Sequence, residues 1–447
     1  MGTLALPSEL ILLLSSFMQN ESDINSLCQV CRRLYKVLNP CLYQRNAGDS
    51  SSALLWAINQ GNEATARMAM AEGADIGISD SLGRGLLSLA SKGGFKSMVE
   101  MLLATKQAGI NSKDCRGSTP LYWATAYGHE AIVQRLLETG EAYVDSKDLD
   151  ERASLSYAAM LGNENILKLL VEFGNADVNS KDRDGRTPLS YAAMFGHEAA
   201  VKYLIESAKV DVDSKDDMSY TPLCLASWKG HQAVVKCLIE IGRADVDLED
   251  FKYRTPPLCL AAAEGHNDVV KYLIETHEGS VDLAEFKGRT PLSLAAERGH
   301  EAVVKCLIET GKVNLNSEDS EGRTPLLKAA ALGHEAVVRR LLRSAAVDSN
   351  LQDSEGRTPL SCAAQLGHEG VVKLLIETGT VHLDMQDLEG RTPLSWAAQQ
   401  GHEGVVKLLI ETGNVRVGMQ DLEGRTALSW AVEEDYGEVV RLLTDAC

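Results

Sequence analysis

The sequence predicts an all-α solenoid of about twelve helix-turn-helix units joined by short hairpin fingers, with a small three-helix head in front. Three observations predict it. The block RTPLSYAAMFGHEAAVKYLIE (Arg186–Glu206) returns about every 34 residues, as RTPLSLAAERGHEAVVKCLIE from Arg289 and RTPLSWAAQQGHEGVVKLLIE from Arg391. Apolar residues inside each block recur at helical spacing. The first fifty residues do not follow the repeat and divide the 447-residue chain into a head, 1–48, and an array, 51–447.

The head comes first. LPSELILLLSSFM reads as a helix begun by Pro7, with Leu10, Leu13, Leu14 and Phe17 on one side. QNESD is a turn rich in capping residues. INSLCQVCRRLYKVLNPCLY then offers two more short helices, broken near Cys31 and stopped at Asn39-Pro40. So small a bundle builds little core alone, so a partner is expected. Cys28 and Cys31 form a CxxC followed by Cys41, but no second paired spacing accompanies them, so packed thiols are expected rather than a metal site.

The array follows. The leucine of the TPL core sets the register: Leu54, Leu87, Leu121, Leu155, Leu189, Leu223, Leu258, Leu292, Leu326, Leu360, Leu394, Leu428. Steps are 33 or 34, with one of 35 where RTPPL (Arg254 to Leu258) carries a second proline. In each unit a threonine such as Thr187 is an N-cap, and Pro188 takes the first helical position, where no N–H is needed. Leu189, Ala192 and Ala193 form a narrow face that lets a neighbouring helix approach. Gly196 ends this helix in a left-handed conformation. Ala200, Val201, Leu204 and Ile205 mark a second helix, and an Asp-rich turn leads to the next unit. One unit cannot bury its own apolar face; stacked units bury them jointly.

Both ends degrade as capping units do. Ser52-Ala53 stands for Thr-Pro and Asn62 for His in the first unit; Ala427 stands for Pro and Asp435-Tyr436 for Gly-His in the last. Ala153-Ser154 also lacks Thr-Pro, and Tyr253 replaces a finger glycine, so local departures are expected at those two places.

The pattern DxxGRTPLxxAAxxGHxxVVxxLIExG resembles the ankyrin repeat over roughly nine-tenths of the chain. Units at Thr187, Thr324, Thr358 and Thr392 match nearly every framework position. Ser190, Ser293, Ser361, Ser395 and Ser429 stand where the family usually has His, and a slightly weaker cap is expected there. The resemblance implies a protein partner held on a concave groove, by the fingers and the two variable positions before each Gly-His. Those pairs begin Ala126-Tyr127, Met160-Leu161, Met194-Phe195, Trp228-Lys229 and continue as Ala263-Glu264, Glu297-Arg298, Ala331-Leu332, Gln365-Leu366, Gln399-Gln400. Tyr127, Met160, Leu161, Met194, Phe195 and Trp228 are therefore expected to form an apolar binding face. Finger residues Arg116, Arg183, Met218, Tyr220, Phe251, Tyr253 and Phe286 extend it. The alternative is that some of them pack on the adjoining helices. Trp123, Tyr157, Tyr191, Trp396 and Trp430 occupy a different slot and read as framework. So do the histidines of the Gly-His pairs, which recur at one place in eight of the twelve modules.

LPSELILLLSSFMQNESDINSLCQVCRRLYKVLNPCLY resembles an F-box, through Leu6-Pro7, Glu9-Leu10, Ile11, Leu14, Asp23, Leu27, Val30, Cys31-Arg32 and Leu42-Tyr43. Tyr35 and Tyr43 stand where the family often has tryptophan. This implies docking onto the Skp-type adaptor of a cullin–RING ubiquitin ligase through Leu6, Pro7, Leu10, Ile11, Leu14 and Val30. A plain helical cap on the first repeat is the alternative.

Composition narrows the function. The chain is 45% hydrophobic and 24% charged, as a folded protein is, with a net charge of −19. Residues 1–50 hold four acidic and four basic residues, so the array carries the whole excess. Phosphate binding needs clustered Lys and Arg, so nucleic acid is not the expected ligand. LILLLSSFM is too short to span a bilayer, neither end carries a lipidation motif, and no export signal is visible, so reduced cysteines in cytosol or nucleus are expected. No nucleophile–base pair, phosphate loop or HExxH is present, and no cofactor is implied. The expectation is a non-catalytic receptor that brings a target to a ligase; the alternative is an ankyrin scaffold with no ubiquitin step.

Overall fold

Thr-Pro starts most of the inner helices. At Pro188–Met194, Thr187 Oγ1 accepts the Ser190 backbone N–H (3.3 Å), and Pro188 fills the first turn. Thr119, Thr221, Thr290, Thr324, Thr358, Thr392 and Thr426 cap their helices the same way. Three of the five serines complete the cap, whereas Ser190 and Ser293 do not. At Thr358/Ser361, Thr392/Ser395 and Thr426/Ser429 each hydroxyl accepts the other residue's backbone N–H, a reciprocal pair that satisfies two helix-start donors.

The computed structural model describes residues 52–207, 209–247, 255–277 and 281–446. These contain 24 α-helices, and the only β pairings among them are isolated bridges, so the fingers are turns rather than strands. The chain divides into two units, Met1–Ser214 and Lys215–Cys447. Five helix pairs fall in the described part of the first and seven in the second, matching the twelve repeats.

Within the first unit the inner helices Ser52–Gln60, Leu86–Gly93, Pro120–Ala126, Ser154–Leu161 and Pro188–Met194 pack each on the next. Within the second, seven inner helices from Pro222–Lys229 to Ala427–Glu433 do the same. Each inner helix turns back through a left-handed residue, Gly196 for example at φ 78°. Asp435 takes that role in the last repeat, at φ 61°. Leu360, Ala363 and Ala364 on an inner helix and Val371, Val372 and Leu375 on its outer helix, Glu369–Glu377, are fully buried. Burying one such Leu or Val contributes roughly 1.5–3 kcal/mol, and alanine lets the helices approach closely.

At Ala153 the inner helix starts without a side-chain cap. The larger departure lies in the outer helix, where Glu164–Lys168 widens into a π turn, Leu169–Phe173. The left-handed residue is Asn175, one place later relative to Asp182 than Gly140 is to Asp148. The turn absorbs that extra residue without shifting the repeat. Tyr253 lies outside the described residues.

Candidate functional site

All but one of the described fingers are built on an aspartate, and Glu285 takes its place in the finger before Thr290. Asp387 Oδ1 accepts the backbone N–H groups of Glu389 (3.0 Å) and Arg391 (2.9 Å), which closes the turn. Asp114, Asp148, Asp182, Asp216, Asp319, Asp353 and Asp421 do the same two and four residues on. Adjacent fingers share one backbone bond: the Leu149 N–H donates to the Arg116 carbonyl (2.9 Å), and the Leu388 N–H to the Glu355 carbonyl (3.0 Å).

The second aspartate oxygen ties the finger to the inner helix. Trp123 Nε1–H donates to Asp114 (3.0 Å), Tyr157 to Asp148 (2.9 Å), Tyr191 to Asp182, Trp396 to Asp387 (2.9 Å) and Trp430 to Asp421 (3.0 Å). The expectation that these aromatics are framework holds. Burial, then the bond to the aspartate, pushes the Tyr191 hydroxyl well above its ordinary range. Burial and the neighbouring Tyr122 do the same to Tyr157.

One repeat puts a cation in this slot, which sequence reasoning missed. Lys328 is only 4% exposed, with its ammonium 2.9 Å from Asp319 and 3.0 Å from Glu297. Burial alone would raise the Asp319 carboxyl. The Arg323 backbone N–H, Lys328 and the Glu321 backbone N–H outweigh it and hold the group at about 2. The signal was legible: Lys328 stands where Tyr191 and Trp396 stand in their repeats.

The histidines join repeats. His197 Nε2 bonds the Met160 carbonyl (2.9 Å), and His300, His334, His368 and His402 bond those of Ala263, Glu297, Ala331 and Gln365 at 2.9–3.0 Å. The accepting residue is each time the first of the preceding variable pair. That pair therefore lends its backbone to the framework while its side chains remain free to differ.

The two members of the pair are unequal. The second is exposed: Tyr127 at 52%, Leu161 at 49% and Phe195 at 45%. The first, Met160, Met194 or Trp228, is half-buried. Trp228, in the second unit, has Lys229 Nζ 3.7 Å from its ring centroid. Leu332 and Leu366 in the second unit are exposed at the same position. Arg116 and Arg183 are exposed on their fingers, with the Arg183 guanidinium donating to the Leu149 carbonyl. Met218 and Phe286 are exposed and Tyr220 half-buried. Phe251 and Tyr253 lie outside the described residues, as do Leu6, Pro7, Leu10, Ile11, Leu14 and Val30 of the head and its Cys28, Cys31 and Cys41. Lys92 was also missed. It is the first member of the pair Lys92-Gly93, and its ammonium lies 5.2 Å from the Trp123 ring centroid and 5.5 Å from that of Tyr127.

Repeated helix pairs, Asp-anchored fingers and a buried frame with a variable exposed edge define a repeat protein built for protein contact. The family profile for ankyrin repeats (3 copies) matches residues 54–148, 155–250, 243–319, 311–387 and 380–447, and the chain belongs to the ankyrin-repeat family. The matched segments begin at residue 54, after the head. No curated protein matches the chain.

Proposed function

We propose that this protein-interaction module holds a target protein on its inner face and docks through its head onto the Skp-type adaptor of a cullin–RING ubiquitin ligase. The observation that carries the first half is the exposure of Tyr127, Leu161 and Phe195 at one position of successive repeats, over a frame whose own aromatics are bonded. Large apolar groups kept at the surface in register support an interaction face. Support for the second half is the Leu6-Pro7 opening with Leu10, Ile11, Leu14 and Val30 behind it. The chain supplies no chemistry in this reading. Its effect is proximity, raising the local concentration of target lysines near the ligase-bound conjugating enzyme. Such a role belongs in cytosol or nucleus.

A scaffold with no ubiquitin step differs only in what the head does. Co-purification of the full chain with a Skp-type adaptor, beside Leu6→Ala/Pro7→Ala, separates the two. Binding lost in the variant supports the receptor. Failure of the native chain to bind leaves the scaffold.

A further inference from the structure

Finger charges follow one pattern in six of the ten described fingers. Two residues after the anchoring aspartate stands an acid, paired with an arginine two residues further on: Asp150 with Arg152, Asp184 with Arg186, Glu321 with Arg323, Glu355 with Arg357, Glu389 with Arg391 and Glu423 with Arg425. The Asp114 finger departs from it, with Arg116 at the acidic place and Ser118 at the arginine's; Leu82, Met218 and Lys287 stand at the acidic place in the other three. Arg116 is exposed and forms no ion pair among the described residues. Asp114 itself is buried and engaged by the N–H groups of Arg116, Ser118 and Trp123.

Lys92 supplies a second such cation. Its ammonium lies over Trp123 and Tyr127, no described carboxylate pairs with it, and His129 holds its carbonyl (3.0 Å). Trp123 links the two cations, since Lys92 covers its face while its Nε1–H grips the finger that bears Arg116. Beside them stand the half-exposed Tyr127 ring and Leu82, exposed at the preceding finger tip. In a chain of net charge −19 this is a local reversal of sign on an apolar background.

Resting on the proposed inner-face reading, we infer that this stretch takes an extended acidic segment of the partner protein. A carboxylate of the segment meets Lys92 and Arg116, and a neighbouring apolar side chain lies on Tyr127. Charge steers and orients the segment, and the ring supplies contact area.

The test is selection of random peptides displayed on phage, in parallel on the full chain, on Lys92→Glu/Arg116→Glu and on Tyr127→Ala/Leu161→Ala. The full chain is expected to enrich peptides with Asp or Glu beside Leu or an aromatic. The best of these, made synthetically, should bind the charge-reversed variant about tenfold or more weaker and lose affinity as salt rises. Should the reversed variant fail to fold, Lys92→Gln/Arg116→Gln and the salt dependence of the native chain give the same reading. Peptides that need Tyr127 and Leu161 but lack acidic residues, or that bind the charge variants as well as the native chain, overturn this inference alone. Peptides indifferent to Tyr127 and Leu161, or no selected peptide, overturn the inner-face reading with it.

Discussion

His368 is bonded one repeat back, its Nε2 3.0 Å from the carbonyl oxygen of Ala331. A carbonyl only accepts, so Nε2 carries the proton. The same ring closes over Gly333, where an added Cβ would sit 2.7 Å from Nδ1. His368→Ala leaves the Ala331 carbonyl without this partner and is expected to cost about 1–3 kcal/mol. Amide hydrogen exchange should show the loss concentrated in the helices around residues 325–342 and 359–377, because a repeat array opens locally.

Gly367 and Gly379 separate two reasons for glycine. Both are left-handed, at φ +74° and +70°, but a Cβ on Gly367 meets the His402 ring at 2.7 Å, whereas nothing lies within 4 Å of one on Gly379. Gly379→Ala should cost only the backbone strain, about 1 kcal/mol. Gly367→Ala should cost that and the displacement of the ring, about 2–3 kcal/mol in all. Urea midpoints of the two variants compare the costs directly.

Lys328 and Asp319 make stability depend on acid. The Asp319 carboxyl sits at about 2, below its ordinary 3.8, so folding favours its ionised form. The stabilisation is complete above about pH 4 and is lost as pH falls through about 2. In Asp319→Asn the decline of the urea midpoint across that window should be shallower than in the native chain. Lys328→Leu leaves the buried carboxylate with fewer partners and should destabilise by about 3 kcal/mol at neutral pH.

Tyr127, Leu161 and Phe195 are expected to matter for partners and not for folding. Their triple alanine variant should keep its thermal midpoint, each change shifting stability by no more than about 0.5 kcal/mol. Circular dichroism melts check this, and a collapse of the midpoint would reassign these residues to the frame.

The repeat made most of the fold legible. Register, helix starts at Thr187-Pro188 and the left-handed Gly196 follow from local rules that each repeat states again. The aromatic slot of Tyr191 and Trp396 was separable from the variable pair by position alone. What was not legible depends on contacts between repeats. The sequence gives no sign that His368 bonds Ala331, because the two are 37 residues apart. Serine was read by comparison with the family histidine, and its reciprocal bond to threonine became visible only in three dimensions. The π turn at Leu169–Phe173 hides in a repeat of ordinary length. Lys92 and Lys328 stood in known slots, but their partners Trp123 and Glu297 come from neighbouring repeats.

The central claim is that the inner face holds a protein partner while the head holds the ligase adaptor. The most direct measurement is quantitative affinity purification of the full chain beside Tyr127→Ala/Leu161→Ala/Phe195→Ala from the same cells. The account predicts that the adaptor is recovered equally with both, while at least one other protein recovered with the native chain is lost from the variant. Recovery of the same proteins in the same amounts, or absence of the adaptor from both, would contradict it.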